Sequence, residues 1–222
     1  MLSLNGKMES GSSSEIRERI LESAESLFSE KGFSGTKVRE ITNLAGCNLA
    51  AINYHFGGKD NLYYQVIRRH LNVMRDVRIA GINRVMNEQK DNISLEKLLK
   101  AFADAFLEPF VDKNKSQRFM KLMIHEILDP KLPKKVFAEE MAIPILTALG
   151  NAMKKIYPEL DEKEILISTI SVVGQLMHSV HLNEVFAAEQ DIDLSLPSLQ
   201  EMVDHIVVFS AAGIRAFAGK KA

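Results

Sequence analysis

The chain has 222 residues, 46% of them hydrophobic and 26% charged, the balance of an ordinary water-soluble globular protein with one large or two small domains. A formal net charge of −1 argues against a protein that coats nucleic acid indiscriminately. The single cysteine, Cys47, rules out an intrachain disulfide, and no apolar run reads as long enough to span a bilayer.

The opening stretch, MLSLNGKMESGSSS, is polar and rich in Gly and Ser, with no hydrophobic signal-peptide core. Residues 1–13 are expected to be a disordered tail, and the protein is expected in the cytoplasm. Ser12 and Glu15 have the spacing of a capping box. Ile16, Ile20, Ala24, Leu27 and Phe28 follow as the buried stripe of a first helix, which Gly32 should stop.

The segment Thr36–Leu62 carries the most information. Thr36 reads as the N-cap of a short second helix, with Val38, Ile41 and Leu44 or Ala45 at helical spacing. Gly46 ends it, because glycine tolerates the left-handed backbone of a sharp turn. Asn48 reads as the N-cap of a third helix whose Leu49, Ile52 and Phe56 should face the core. Ala50, Ala51, Asn53, Tyr54 and His55 are then left wholly or partly outward. Small, polar and aromatic side chains of this kind suit close approach to base edges and phosphates. Gly57-Gly58 breaks the helix. Lys59 opens a long fourth helix, where its ammonium and the helix N-terminus can both face a phosphate. Two short helices with a tight turn, followed by a third, form the arrangement that places a helix in the DNA major groove. Thr36, Lys37, Arg39, Asn48, Ala50, Ala51, Asn53, Tyr54, His55 and Lys59 are the candidate DNA contacts. Between Thr36 and His70, the basic Lys37, Arg39, Lys59, Arg68 and Arg69 outnumber the acidic Glu40 and Asp60, a local electrostatic footprint on a nearly neutral chain.

The long helix carries Leu62, Val66, Leu71, Met74 and Val77 to about Met86, roughly 40 Å at the helical rise. Ser94 opens another, with Leu95, Leu98, Leu99, Phe102, Phe106 and Phe110 on one side, broken by Asp112-Lys113-Asn114. Phe119, Leu122, Met123 and Ile127 mark the next, which ends near Asp129-Pro130. After Pro133, a helix carries Val136, Phe137, Met141, Ile145, Leu149 and Met153 to Tyr157-Pro158. Pro144 should kink it or split it in two. Asp161 or Glu162 opens a helix that is apolar nearly all round, from Ile165 to Leu182, so it must be buried on more than one side. Asp191–Leu196 is a polar break. Ser198 and Glu201 form a capping-box pattern before the last helix, with Val203, Ile206, Val207, Phe209, Ile214 and Phe217. The small residues Ser171, Gly174, Ala211, Ala212 and Gly213 suit close packing of the last two helices between subunits. No strand-like alternation of useful length occurs.

The segment Ile16–Val66 resembles the TetR/AcrR family of bacterial transcriptional regulators. The resemblance rests on Thr36, the Ala45-Gly46 turn, Tyr54-His55-Phe56, Lys59 and Leu62. Asn53 departs from it, since the family commonly has Tyr at that position. Asn can read adenine bidentately, so the base-contact pattern cannot be copied from other members. More loosely, Asn48–Lys59, His125-Glu126-Ile127 with Asp129-Pro130, and Val172-Val173-Gly174-Gln175 resemble the subgroup with a CecR-type C-terminal domain. The resemblance implies an all-α fold, with a three-helix head at 14–58 and a ligand-binding and dimerisation body at 59–222. It implies a homodimeric repressor that a small hydrophobic effector releases from a palindromic operator.

Eleven Phe and ten Met supply an adaptable apolar wall. Phe102, Phe106, Phe110, Phe119, Met123, Met141, Met177, His178 and His181 are the candidate effector contacts, with plain core packing the competing reading for each. His178 and His181, with Glu184 one turn on and His125-Glu126 elsewhere, have spacing that a metal-responsive regulator would use. A ligand-contacting or interface histidine is the preferred reading, with polar residues merely satisfied by hydrogen bonds as the alternative, and no metal or cofactor is assigned. An enzyme is disfavoured, because there is no Gly-rich phosphate loop, G-x-S-x-G elbow or H-E-x-x-H motif. An all-helical interaction adapter would leave the sharp turn and the local basic patch unexplained.

Overall fold

In the computed structural model, residues 12–88, 93–108, 113–188 and 197–219 are described, and all their regular structure is helical. Ten α-helices follow in order: α1 Ser13–Gly35, α2 Val38–Ala45, α3 Leu49–Phe56, α4 Lys59–Glu88, α5 Leu95–Leu107, α6 Lys113–Leu128, α7 Lys135–Phe137, α8 Ile143–Ile156, α9 Glu162–Ala188 and α10 Leu199–Ala218. A π-helical turn, Ala138–Ala142, joins α7 to α8. The chain divides into two compact units, Met1–Leu71 with Asp112–Val136, and Asn72–Val111 with Phe137–Ala222. The first unit takes in the start of α4 and all of α6.

In the first unit, the Ser12 hydroxyl accepts from the Glu15 amide while Glu15 accepts from the Ser12 amide, so both free donors at the start of α1 are satisfied. Ile20, Leu21, Ala24 and Phe28 are buried along one face. Gly32 does not end α1 but kinks it, with φ 68°, and one further turn follows. A Cβ at Gly32 would lie 3.0 Å from His125 Nδ1 of α6. Glycine is thus required there both for backbone conformation and for space.

Helix α6 is tied to its surroundings by the stretch His125–Asp129. Tyr63, almost fully buried, packs its ring against Phe28 and Phe33 and donates its hydroxyl to Glu126 Oε2 at 3.0 Å. The other Glu126 oxygen accepts the amides of Lys131 and Leu132, so this carboxylate caps the turn after α6. Asp129 accepts from the Ser34 hydroxyl at 2.8 Å. These residues thus brace α1 and α4 within the first unit.

In the second unit, α9 packs on α8 and α10, and α5 on α8, α9 and α10. Pro144 is the second residue of α8, at the junction with the π-turn. Lacking an N–H, it leaves the carbonyl of Glu140 four residues back without its helical donor. Arg75 fills the place, donating to that carbonyl at 3.1 Å. Gly81 of α4 lies so close to α5 that a Cβ would meet that of Ala105 at 2.8 Å.

The stretch Glu162–Leu182 of α9 is long and apolar enough to cross a membrane by length and composition, and 39% of it is buried within the chain. That corrects the expectation that no such run exists. Val172, Leu176 and Val180 are buried, while Leu166, Ile167, Ile170 and Met177 are exposed. A helix apolar all round has one face packed and another bare in a single chain.

Candidate nucleic-acid interface

Helices α2 and α3 are joined by Gly46, Cys47 and Asn48. Gly46 adopts φ 63°, and the Cys47 amide donates to Thr42 O at 3.0 Å, closing α2. Asn48 Oδ1 accepts the Ala51 amide at 3.0 Å, so Asn48 caps α3. Burial pushes the Cys47 thiol up from its ordinary value, against the opposing pull of Arg19.

Helix α2 starts differently from the expectation. Thr36 is not its N-cap and is only 1% exposed. Its hydroxyl donates to the carbonyls of Gly32 and Leu27, at 2.8 and 3.1 Å. The one Thr36 hydroxyl is thus shared between two carbonyls of α1. Its side chain is therefore spent on closing α1 and is withdrawn from the candidate DNA contacts. Lys37 is the N-cap of α2. Its amide donates to Glu40 Oε2, while Lys31 Nζ meets Glu40 Oε1, both at 2.8 Å. The Lys31 ammonium, and after it the Lys37 amide, hold Glu40 below the usual carboxylate range. Lys37 and Arg39 are exposed beside this capped end.

Ile52 and Phe56 of α3 are buried, as their spacing predicts, but Leu49 is 49% exposed. In an eight-residue helix the first turn overhangs the core, and Leu49 joins the outer face. Ala50, Asn53 and Tyr54 are exposed there, with Ala51 and His55 half-buried. Tyr54 is 82% exposed, with its ring edge-on to His55. Arg17 of α1 lies over the inner Phe56 ring at 5.1 Å, holding the helix end from behind. Gly57 then turns the chain at φ 71°, and Asn61 donates to the Phe56 carbonyl at 2.7 Å.

Lys59 opens α4 with its ammonium 4.2 Å from the centroid of the Phe33 ring, and Lys131 lies over the same ring at 5.8 Å. Burial lowers the Lys59 pKa, against the opposing pull of Asp60. Sequence reasoning missed Lys131. Its signal was only its place after the Asp129-Pro130 turn, which becomes meaningful once α6 is seen beside α1.

The anticipated effector residues are divided between the two units. Phe102 and Phe106 pack edge to face in the core of the second unit, and Met141 is buried under Arg78. Phe119 and Met123 belong to α6 in the first unit, where Phe119 meets His70. Met177, His178 and His181 lie on the exposed side of α9, because the buried register of that helix runs through Val172, Leu176 and Val180. Phe110 and the side chain of Glu184 lie outside the described residues. Among the described residues, no three His, Cys, Asp or Glu side chains converge as metal ligands. The second unit also carries a groove of about 770 Å³ between α4, α5 and the start of α10, lined by Val77, Gly81, Arg84, Asp104, Ala105 and Leu199 among others.

A capped helix pair, with the second helix presenting small, amide and phenolic side chains between basic residues, defines a helix-turn-helix DNA-binding protein. Residues 20–66 match the model of the bacterial regulatory proteins of the tetR family. Residues 95–214, more than half the chain, match the C-terminal domain of the HTH-type transcriptional dual regulator CecR. The chain belongs to the TetR/AcrR family of transcriptional regulators, in the group with a CecR-type C-terminal domain.

Among curated relatives, it is 36% identical over 80 residues to the probable HTH-type transcriptional regulator YttP of Bacillus subtilis, covering 36% of this chain and 35% of that protein. It is 29% identical over 83 residues to IcaR of Staphylococcus aureus, the negative transcriptional regulator of the biofilm operon icaADBC, covering 37% and 41%. The matches thus span well under half the length of these relatives. A structure from Pseudomonas aeruginosa PAO1, assigned as a transcriptional regulator, superposes with a TM-score of 0.70 at 15% identity, covering 97% of this chain and 100% of that one. That likeness shows the all-α fold of a helix-turn-helix head and a helical body.

Proposed function

We propose that the protein is a repressor that binds a two-fold symmetric operator as a homodimer and leaves it when a small, largely apolar effector occupies the second unit. The observation that carries the DNA reading is the outer face of α3, where Asn53 and Tyr54 stand exposed on a helix fixed at both ends by Asn48 and Gly57. Asn offers a bidentate pair to adenine, and Tyr suits phosphate or a thymine methyl. Lys37, Arg39, Asn48, Ala50, Ala51, His55 and Lys59 complete the contact surface. The negative role printed for IcaR supports repression.

Dimerisation is assigned to α9 and α10. Leu166, Ile167, Ile170 and Met177 of α9, and Val208, Phe209 and Phe217 of α10, are all 46–66% exposed in the single chain. Exposed Gly174, Ala212 and Gly213 would let the backbones of two such pairs approach closely. An apolar patch of this size is costly in water and is the expected mark of a subunit interface.

Selection of bound duplexes from a random library with the full chain tests the reading. A palindrome with half-sites about one helical turn apart, bound with affinity that falls steeply as salt rises, is the expected result. Sequence-independent binding, or a single unrepeated half-site, would overturn it.

A further inference from the structure

Arg78 is a buried charge of the second unit. It sits on α4 at helical spacing between Met74 and Ile82 and is only 2% exposed, while both neighbours are also buried. Its guanidinium carbon lies 3.9 Å from the centroid of the Phe106 ring. The polar contacts are poor: Nη1 points to the Met141 sulfur and Nη2 to the Phe106 carbonyl, each at 3.5 Å. Nε has no partner. No carboxylate among the described residues reaches it, and the one influence on its ionisation is burial, which pulls its pKa down to about 10. It is therefore still charged at neutral pH.

Arg75, one turn earlier, shows what a satisfied arginine looks like in the same helix. It donates to Asn72, to Asp76 and to the Glu140 carbonyl at 2.8–3.1 Å. A buried cation without a counter-ion is strongly disfavoured, and stacking on one ring offsets only part of that. Met141, which touches Arg78, stands on the π-turn Ala138–Ala142. Such turns break the regular helical ladder and recur at functional sites. Methionine, unbranched and adaptable, can yield its place to a ligand.

We propose that Arg78 is the anion anchor of the effector site, and that the effector is an organic acid whose carboxylate pairs with the guanidinium while its apolar body lies against Phe106 and Met141. The planar fork matches a carboxylate bidentately, and the surrounding side chains match a hydrocarbon or aromatic remainder. The proposal rests on the effector reading above and names its chemistry.

The probes are straight-chain carboxylates of eight to sixteen carbons and a set of aromatic acids, each beside its methyl ester. Binding to the 222-residue chain is followed by calorimetry and thermal shift. The expected result is that at least one acid binds and raises Tm, with its ester at least tenfold weaker. Arg78→Met should weaken that acid at least tenfold, and Arg78→Lys less so. Arg84→Met, which removes an exposed arginine of the groove on the same helix, should bind it as wild type does. The acid-to-ester comparison on wild-type protein stands even if Arg78→Met fails to fold. Acid and ester binding equally, no acid of the set binding, or the loss appearing in Arg84→Met rather than Arg78→Met would each overturn the assignment. Operator binding by wild-type protein without any acid is measured separately. Its failure would remove the repressor reading, not the anion site.

Discussion

Tyr63 and Glu126 are 63 residues apart in sequence and 3.0 Å apart through the tyrosine hydroxyl and the carboxylate. Burial, and after it the Glu126 charge, push the Tyr63 phenol well above its ordinary pKa, so it remains a donor at any physiological pH. The pair joins the start of α4 to the end of α6. Tyr63→Phe keeps the ring stacked on Phe28 and Phe33 but removes the donor. It should cost about 1.5–3 kcal/mol, the scale of a hydrogen bond to a charged group. Urea denaturation of wild type and variant measures this, and an unchanged midpoint would show that the bond contributes nothing net.

Gly32→Ala should be more severe than an average surface change. The position combines a left-handed φ of 68° with the His125 ring 3.0 Å from the added methyl. Strain and steric displacement together should cost on the order of 2 kcal/mol or more. Pairing it with His125→Ala separates the two causes. Partial recovery in the double variant would assign a share to the clash, and none would assign the whole loss to the backbone.

Asn53→Ala and Lys59→Ala should fail in different ways. Loss of Asn53 should cost about 1–3 kcal/mol at one operator position and relax preference there. Loss of Lys59 should weaken all sequences alike and reduce the slope of log affinity against log salt by about 1. Binding titrations over a salt series, on the selected operator and its single-base variants, distinguish them. An unchanged salt slope would mean that Lys59 serves Phe33 rather than a phosphate.

Ile170→Glu or Phe209→Glu should yield monomers with unaltered helical circular dichroism. Both residues are more than half exposed in one chain, so the charge does not disturb the fold, but a partner would have to bury it. Light scattering reads the mass. A variant that remains a dimer would place the interface on another face.

Much of this protein is local and therefore legible in the sequence. The caps at Ser12, Asn48 and Ser198 are hydrogen bonds spanning three residues, and Gly46 and Gly57 take the left-handed conformation that their helix ends demand. The helix-turn-helix follows from such signals, as does the outward set on α3. Thr36 departs from the N-cap pattern because its hydroxyl turns back onto the end of α1, which a residue pattern does not show. Leu49 is exposed despite its spacing, because a helical period cannot say how much of the first turn the core covers.

Tertiary structure alone decided the rest. Periodicity marks an apolar face but not its partner, so Phe119 joined the first unit, Phe102 the core of the second, and Met177 an uncovered surface. It also put His125–Asp129 against α1 and Tyr63, a pairing with no local signature. Arg78 was written in the sequence as a charge interrupting the stripe from Met74 to Ile82. Only packing showed that no carboxylate answers it among the described residues, because pairing depends on distances between segments that the chain order does not contain.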